Sequence, residues 1–202
     1  MDCKESEIWL GGLESMKGKY IKILAGIDRP GISEVINYLI NSDFFKAPAS
    51  SNNHNNYAGG LVEHSLLVCI NAHKLTALYK EINNYESVTI CALLHDICKA
   101  EFYQESTRNV KKDGVWHAQP YFSIEDKFPL GHGEKSVILL QKLMPLTDPE
   151  IMAIRWHMMG FDDSIRSYGG MMALSVALRK YPLITVIHMA DLAACYLNEV
   201  QL

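Results

Sequence analysis

His95-Asp96 stands inside Ala92-Leu93-Leu94-His95-Asp96-Ile97-Cys98-Lys99, a segment otherwise apolar on the side its neighbours would bury. A buried carboxylate costs on the order of several kcal/mol unless it is paired or bound to a metal. Adjacent side chains on a helix point ~100° apart, so both can reach one ion that sits over the edge between them. A lone His-Asp pair can equally be satisfied by ordinary hydrogen bonds. Three more histidines sit where helices start or stop: His64 in Gly59-Gly60-Leu61-Val62-Glu63-His64-Ser65, His132 in Leu130-Gly131-His132-Gly133-Glu134, and His157 at the end of Ile154-Arg155-Trp156-His157. Asp191, within Ile187-His188-Met189-Ala190-Asp191-Leu192-Ala193-Ala194, is a second carboxylate in an otherwise apolar helix. Two such aspartates require a shared partner.

Helical spacing dominates the segments that must position these residues. Pro30, near a first helical position, opens Ile32–Ile40. Leu61–Tyr79 is long and apolar on one side, and Ser87 is placed to cap Val88–Lys99. Glu134–Leu143 is short and amphipathic. Asp148-Pro149-Glu150 reads as cap, first residue and first-turn acid of a helix to about Met158 that Gly160 stops. Met171–Arg179 and Pro182–Leu197 follow. Lys112-Asp113-Gly114 carries a turn signal between Arg108–Lys111 and Val115–Phe122, which predicts a small hairpin. Ser50–Tyr57 is an asparagine-rich loop. The expectation is an all-α domain with one β-hairpin.

The chain has 202 residues, 49% of them apolar, enough for one domain with a sizeable core. A net charge of −4 and a pI near 6.0 argue against nonspecific binding to duplex nucleic acid. A small phosphorylated partner remains compatible, because a bound metal adds charge that residue counting misses. Cys3, Cys69, Cys91, Cys98 and Cys195 form no Cys-x-x-Cys pair and suit a reducing compartment. No apolar run reaches the ~20 residues of a membrane span and no signal peptide is evident, so the chain reads as cytoplasmic.

The ordered set His64, His95-Asp96 and Asp191 resembles the defining pattern of the HD superfamily of metal-dependent phosphohydrolases. His132 and His157 match the additional histidines of its two-metal branches. The resemblance runs from about Ala47 to Asn198. Its strongest local likeness is to the HD domain of bacterial 3′→5′ exoribonucleases, through Ala47-Pro48-Ala49-Ser50, His54 and Tyr57-Ala58-Gly59-Gly60-Leu61-Val62-Glu63-His64. Those enzymes carry an OB-type module ahead of the HD domain, and the segment before Ala47 is too short and too helical for one. Related domains read His-Asp-Ile-Gly-Lys; here Cys98 replaces the glycine, which implies a change in packing, and the lysine stays as Lys99.

The resemblance implies an HD-domain helical bundle over 47–202, with 1–46 as an N-terminal helical extension packed on it. It implies that His64, His95, Asp96 and Asp191 bind a first divalent ion and that Asp96 bridges to a second held by His132 and His157. Such ligands suit Mn, Fe, Zn or Co. The ions would activate a water and stabilise charge on phosphorus, with a nucleotide or short oligonucleotide as substrate and Asp96 and Lys99 in catalysis. Lys99, on roughly the face of Asp96, is placed to meet a phosphate or to lie solvated near a helix end. His54 on its polar loop and Arg155 beside His157 are candidate substrate contacts. An HD-type di-iron oxygenase and a non-catalytic nucleotide-binding regulatory module are the alternatives. The hairpin, with Trp116, Tyr121 and Phe122, either covers the core or supplies aromatics to a nucleobase.

Overall fold

A computed structural model of the chain describes residues 12–51, 55–79, 82 and 84–198. Helices α1 (Gly12–Ala25) and α2 (Ile32–Asn41) lead through a loop to α3 (Gly60–Leu78) and α4 (Tyr85–Leu94). The hairpin β1 (Tyr103–Lys112) and β2 (Val115–Ile124) follows, then α5 (His132–Gln141), α6 (Asp148–Trp156), α7 (Tyr168–Lys180) and α8 (Leu183–Ala193), which a π-turn prolongs over Ala194–Asn198. Among the described residues the protein is mostly helical, with one two-stranded antiparallel sheet. None of these helices is by itself long and apolar enough to cross a membrane.

The longest helix, α3, is the axis of the core. Every residue from Gly60 to Ala72 is buried, so this stretch is enclosed on all sides where its spacing suggests one apolar face. It packs against α4 and α8, and α1 covers part of it. A helix so enclosed must answer its polar residues internally. Asn71 donates to Ala190 O at 3.3 Å and Asn198 Oδ1 at 2.9 Å, Ser65 donates to Leu61 O at 2.9 Å, and the Tyr57 hydroxyl donates to Glu63. Tyr20, Leu24, Val35 and Leu39 from α1 and α2 join the same core with Phe44 and Phe45, and the Tyr20 hydroxyl reaches Leu93 O at 2.5 Å.

Several element ends differ from their sequence expectation. Gly31, at φ 89°, precedes α2, so Pro30 stands outside the helix it was expected to open. Asn84 caps α4 by accepting from the backbone N–H of Ser87, while the Ser87 hydroxyl turns inward to Glu150 Oε1 at 2.6 Å. The expected Val88–Lys99 helix ends at Leu94, and Ile97–Lys99 forms a separate tight turn. Thr147, not Asp148, is the cap of α6, and Glu150 Oε2 accepts the Thr147 backbone N–H at 2.8 Å. α7 starts at Tyr168. The hairpin strands have ten residues each, with Asp113 (φ 52°) and Gly114 (φ 82°) in the left-handed turn that matches strand twist.

Candidate metal centre

His95 closes α4 with a helical backbone, and Asp96, at φ −106° and ψ 19°, leaves the helix. That break swings the carboxylate across the core. Asp96 Oδ2 lies 2.7 Å from Lys99 Nζ, 3.4 Å from His95 Nε2 and 3.8 Å from His64 Nε2; Asp96 Oδ1 contacts His132 Nε2 and lies 3.5 Å from His157 Nε2. His64 Nε2, from the first turns of α3, is also 3.3 Å from His95 Nε2 and 3.3 Å from Asp191 Oδ1 on α8. His132 opens α5, and His157 caps the end of α6. Gly133 is required beside it: a Cβ there would strike the Arg155 carbonyl, so only glycine lets α5 approach α6 this closely. The six residues His64, His95, Asp96, His132, His157 and Asp191 thus share one buried centre.

The protons in this centre are set by the backbone. His95 Nδ1 lies 2.9 Å from Ala92 O and His157 Nδ1 lies 2.7 Å from Ile154 O. Carbonyls only accept, so Nδ1 carries a hydrogen in both rings and Nε2 is the nitrogen that each ring, when neutral, offers to a metal. Both Nε2 atoms face carboxylate oxygens or other imidazole nitrogens. In a dry site a proton or a metal ion must lie between such groups. His157 Nε2, fully buried, has no hydrogen-bond partner of proper geometry. Burial opposes ionisation of Asp96 and Asp191, but the neighbouring cationic and imidazole groups outweigh it and hold both carboxyls well below the usual range. Burial likewise disfavours charge on His157, yet Asp96 and Asp191 raise its pKa, whereas burial prevails at His132 and lowers it.

Three overlapping sets, His64/His95/Asp191, His95/Asp96/His157 and Asp96/Cys98/His132, each have donor atoms within 4.8 Å of one another and could hold a metal ion. Imidazole nitrogen with carboxylate oxygen is a donor set for Mn, Fe, Co or Zn. The centre opens on one side. His132 has 30% of its side chain exposed and Asp191 has 14%, against 0–1% for His64, His95 and His157.

The other sequence candidates fall in different places. Lys99 Nζ is anchored by Asp96 Oδ2 and by Ala49 O at 2.6 Å, so it is part of the centre rather than a solvated helix end. Burial disfavours its charge, but Asp96 outweighs this and its pKa is raised. Arg155 turns its guanidinium to Glu134 Oε1 (2.5 Å), Asp162 Oδ2 (2.6 Å) and Ser164 Oγ (3.0 Å) and stacks on Trp156, so it braces the backbone around His157. His54 lies outside the described residues. His188 Nδ1 meets His157 O at 2.6 Å and supports the turn that carries that ligand candidate. Cys98 was expected only to alter packing; its Sγ lies 3.4 Å from His132 Nδ1. The sequence signal for it was the thiol standing where related domains have glycine.

Over 84 residues, 40% of this chain, the sequence is 34% identical to the dihydroneopterin 2′,3′-cyclic phosphate phosphodiesterase of Methanocaldococcus jannaschii. The matched stretch spans 32% of that relative's length. No family model matches the chain, and no solved structure matches it. A distant homologue is therefore a phosphodiesterase, in keeping with the buried imidazole and carboxylate donors described above.

Proposed function

We propose that the chain is a metal-dependent phosphohydrolase of the HD superfamily that cleaves a phosphodiester in a nucleotide or short oligonucleotide. The observation that carries this reading is the convergence of four imidazoles and two carboxylates on one buried centre. The relative's activity, on a cyclic phosphate, supports the same bond type for this chain. The hydrolase unit is assigned to 47–202, with 1–46 as its packed extension.

His64, His95, Asp96 and Asp191 would hold a first divalent ion, and Asp96, His132 and His157 a second. When bound, such ions acidify water to near neutral pH and neutralise charge on a phosphate. The chain's own contribution is to orient and to exclude water. Ala92 O and Ile154 O fix the tautomers of His95 and His157. Lys99, tethered by Asp96 and Ala49 O, keeps one of its three N–H donors for a substrate oxygen. The exposed flank at His132 and Asp191 is the side from which substrate enters. His54 is assigned to substrate, whereas Arg155, already engaged by Glu134 and Asp162, holds the His157 turn in place.

The test is to load purified protein with Mn and assay a 2′,3′-cyclic nucleotide, a linear phosphodiester and a phosphomonoester. Metal-dependent turnover of a diester is expected, and a chelator should abolish it. Absence of turnover on all three would defeat the proposal.

A further inference from the structure

His188 lies on α8 one turn before Asp191, and residues three apart fall on the same side of a helix. Asp191 turns inward, its Oδ1 3.3 Å from His64 Nε2 in the metal centre. His188 is half-buried and turns Nδ1 to His157 O at 2.6 Å, so the hydrogen on that nitrogen is committed to the backbone of a ligand candidate. Its other nitrogen is open: among the described residues Nε2 has no hydrogen-bond partner, and it is not sealed from solvent. When the ring is neutral, that nitrogen is an acceptor whose direction the His157 carbonyl fixes.

Phe161 stands beside it. After His157 and Met158 the chain turns through Met159 at φ 41°, a left-handed value that side chains with a Cβ adopt only at a steric cost. The turn is braced on both sides. Phe161 N–H donates to Met158 O at 2.9 Å, and Arg155 Nη1 holds Asp162 Oδ2 at 2.6 Å. The Phe161 ring is thereby fixed in place yet 64% exposed, with its centre 6.5 Å from that of His188 and the two planes 36° apart. Together the phenyl face and the open imidazole nitrogen form a shelf that begins one helical turn, about 5 Å along α8, from the Asp191 position.

Charge decides what fits there. Asp162 is answered by Arg155 and by the Ser164 N–H, and Arg155 has spent its donors on Glu134, Asp162 and Ser164. A second phosphate on the shelf would find its nearest guanidinium already engaged. What remains is an apolar ring face and one acceptor, the complement of a neutral planar heterocycle that carries an N–H. Resting on the hydrolase reading above, we infer that Phe161 and His188 form the subsite for the base of a mononucleotide, whose one phosphodiester lies over the open flank of the centre at His132 and Asp191. The base stacks on Phe161 and donates an N–H to His188 Nε2. This narrows the substrate from an oligonucleotide to a small nucleotide diester, because further phosphates are not met on this side of the centre.

The test is calorimetric titration of the purified protein with adenosine 3′-phosphate and with methyl riboside 3-phosphate, which keeps the sugar and phosphate and lacks the base. Wild type is expected to bind the nucleotide at least about tenfold more tightly, the scale of one base-to-aromatic stack. Phe161→Ala should weaken the nucleotide alone and bring the two ligands within about twofold, and Phe161→Tyr should restore the preference. His188→Asn keeps an amide donor for His157 O and removes the Nε2 acceptor, so it should weaken the nucleotide by roughly three- to tenfold and leave the riboside phosphate unchanged. Far-UV circular dichroism and Tm show that each variant is folded. Equal affinity of wild type for the two ligands, no binding of either, a loss in Phe161→Ala shared by both, or a tetranucleotide bound at least about tenfold more tightly than the mononucleotide would overturn the base subsite. A wild type that cleaves a diester without preferring the base would leave the hydrolase reading standing and remove the subsite. A preference for the base with no cleavage of any diester would do the reverse.

Discussion

Asp96 and Glu150 are both carboxylates deep in the core, and their surroundings are opposite. Glu150 has a fully buried side chain, and each of its oxygens is answered by donors from the chain. Oε1 accepts from Arg29 Nη1 at 2.6 Å and Ser87 Oγ at 2.6 Å, and Oε2 from Arg29 Nη2 at 2.8 Å and the Thr147 N–H at 2.8 Å. Around Asp96, Lys99 is a true donor. The ring nitrogens of His95 and His157, by contrast, have committed their hydrogens to carbonyls elsewhere. The first group is electrostatically closed, and nothing further is needed to keep it folded. The second is held open by backbone-fixed tautomers and, on the proposed reading, would be completed by a cation. Burial of charge alone therefore does not mark a site; the direction of the surrounding hydrogens does.

The sharpest way to break this contrast is to remove one carboxylate at a time. Asp96→Ala should lower diesterase activity and bound metal by at least about 100-fold, while the far-UV spectrum shows the helices retained and Tm falls only through the loss of the Lys99 partner. Metal content read by plasma mass spectrometry and unchanged from wild type would refute the bridging assignment. Glu150→Ala should give the reverse signature. It strands Arg29, 13% exposed, and costs about 3 kcal/mol, or roughly 10 °C in Tm for a chain of this size. The folded fraction should bind as much metal as wild type. If Glu150→Ala lost metal at temperatures where it is folded, the two regions would be one system.

Acid should separate them again. Burial opposes ionisation of Glu150, but Arg29, Ser87 and the Thr147 N–H outweigh it and depress its carboxyl below the ordinary 4.5. A depressed folded pKa means stability that is complete above the unfolded value and lost as pH falls toward the folded one. The Glu150 group should thus weaken only below about pH 4.5. Metal must leave earlier, because imidazoles bind it only when neutral and ordinarily take up a proton near pH 6.5. Metal release followed by chelator dye and unfolding followed by circular dichroism should form two transitions in that order. Coincident transitions would erase the distinction, and Glu150→Gln should flatten the lower one alone.

The two regions were also unequally legible in the sequence. The six-residue centre is legible because ionisable residues interrupt apolar helices or stand at their ends, and because their order, His64, His95-Asp96, His132, His157 and Asp191, resembles the HD pattern. Glu150 was read only as a first-turn acid. Its partner Arg29 lies 121 positions away, and a pairing at that separation leaves no local pattern. Ser87 reads as a cap because serine caps helices, but Asn84 occupies that role and frees the hydroxyl for Glu150. The helix break after His95 was invisible, since Ile97-Cys98-Lys99 continues the apolar spacing; tertiary demand on Asp96 overrides local propensity there. The hairpin was found from Asp113-Gly114 but drawn too short, because neither of its largely exposed faces shows the apolar alternation by which strand ends are judged.

Cys98 provides the smallest and most discriminating test of how the centre is held. His95 and His157 are each oriented by a carbonyl within 2.9 Å, whereas His132 Nδ1 faces the Cys98 sulfur at 3.4 Å. Burial, with Asp96 nearby, pushes the Cys98 thiol up to about 12, so at neutral pH it is an uncharged and weak hydrogen-bond partner. His132 is also the most exposed of the four imidazoles in the centre. The metal position that uses it should therefore be the weaker of two. Cys98→Gly removes the sulfur and should weaken one equivalent of Zn or Mn by about tenfold, the lower end for loss of a ligand's orienting contact. The equivalent held by His64, His95 and Asp191 should be unaffected. Cys98→Ser, which keeps a hydroxyl partner, should recover part of the loss in the same titration. In a Co-loaded protein, thiolate-to-metal charge-transfer absorption that vanishes in both variants would instead make Cys98 a ligand. Identical binding by all three proteins would reduce it to packing and leave Asp96 alone to position His132.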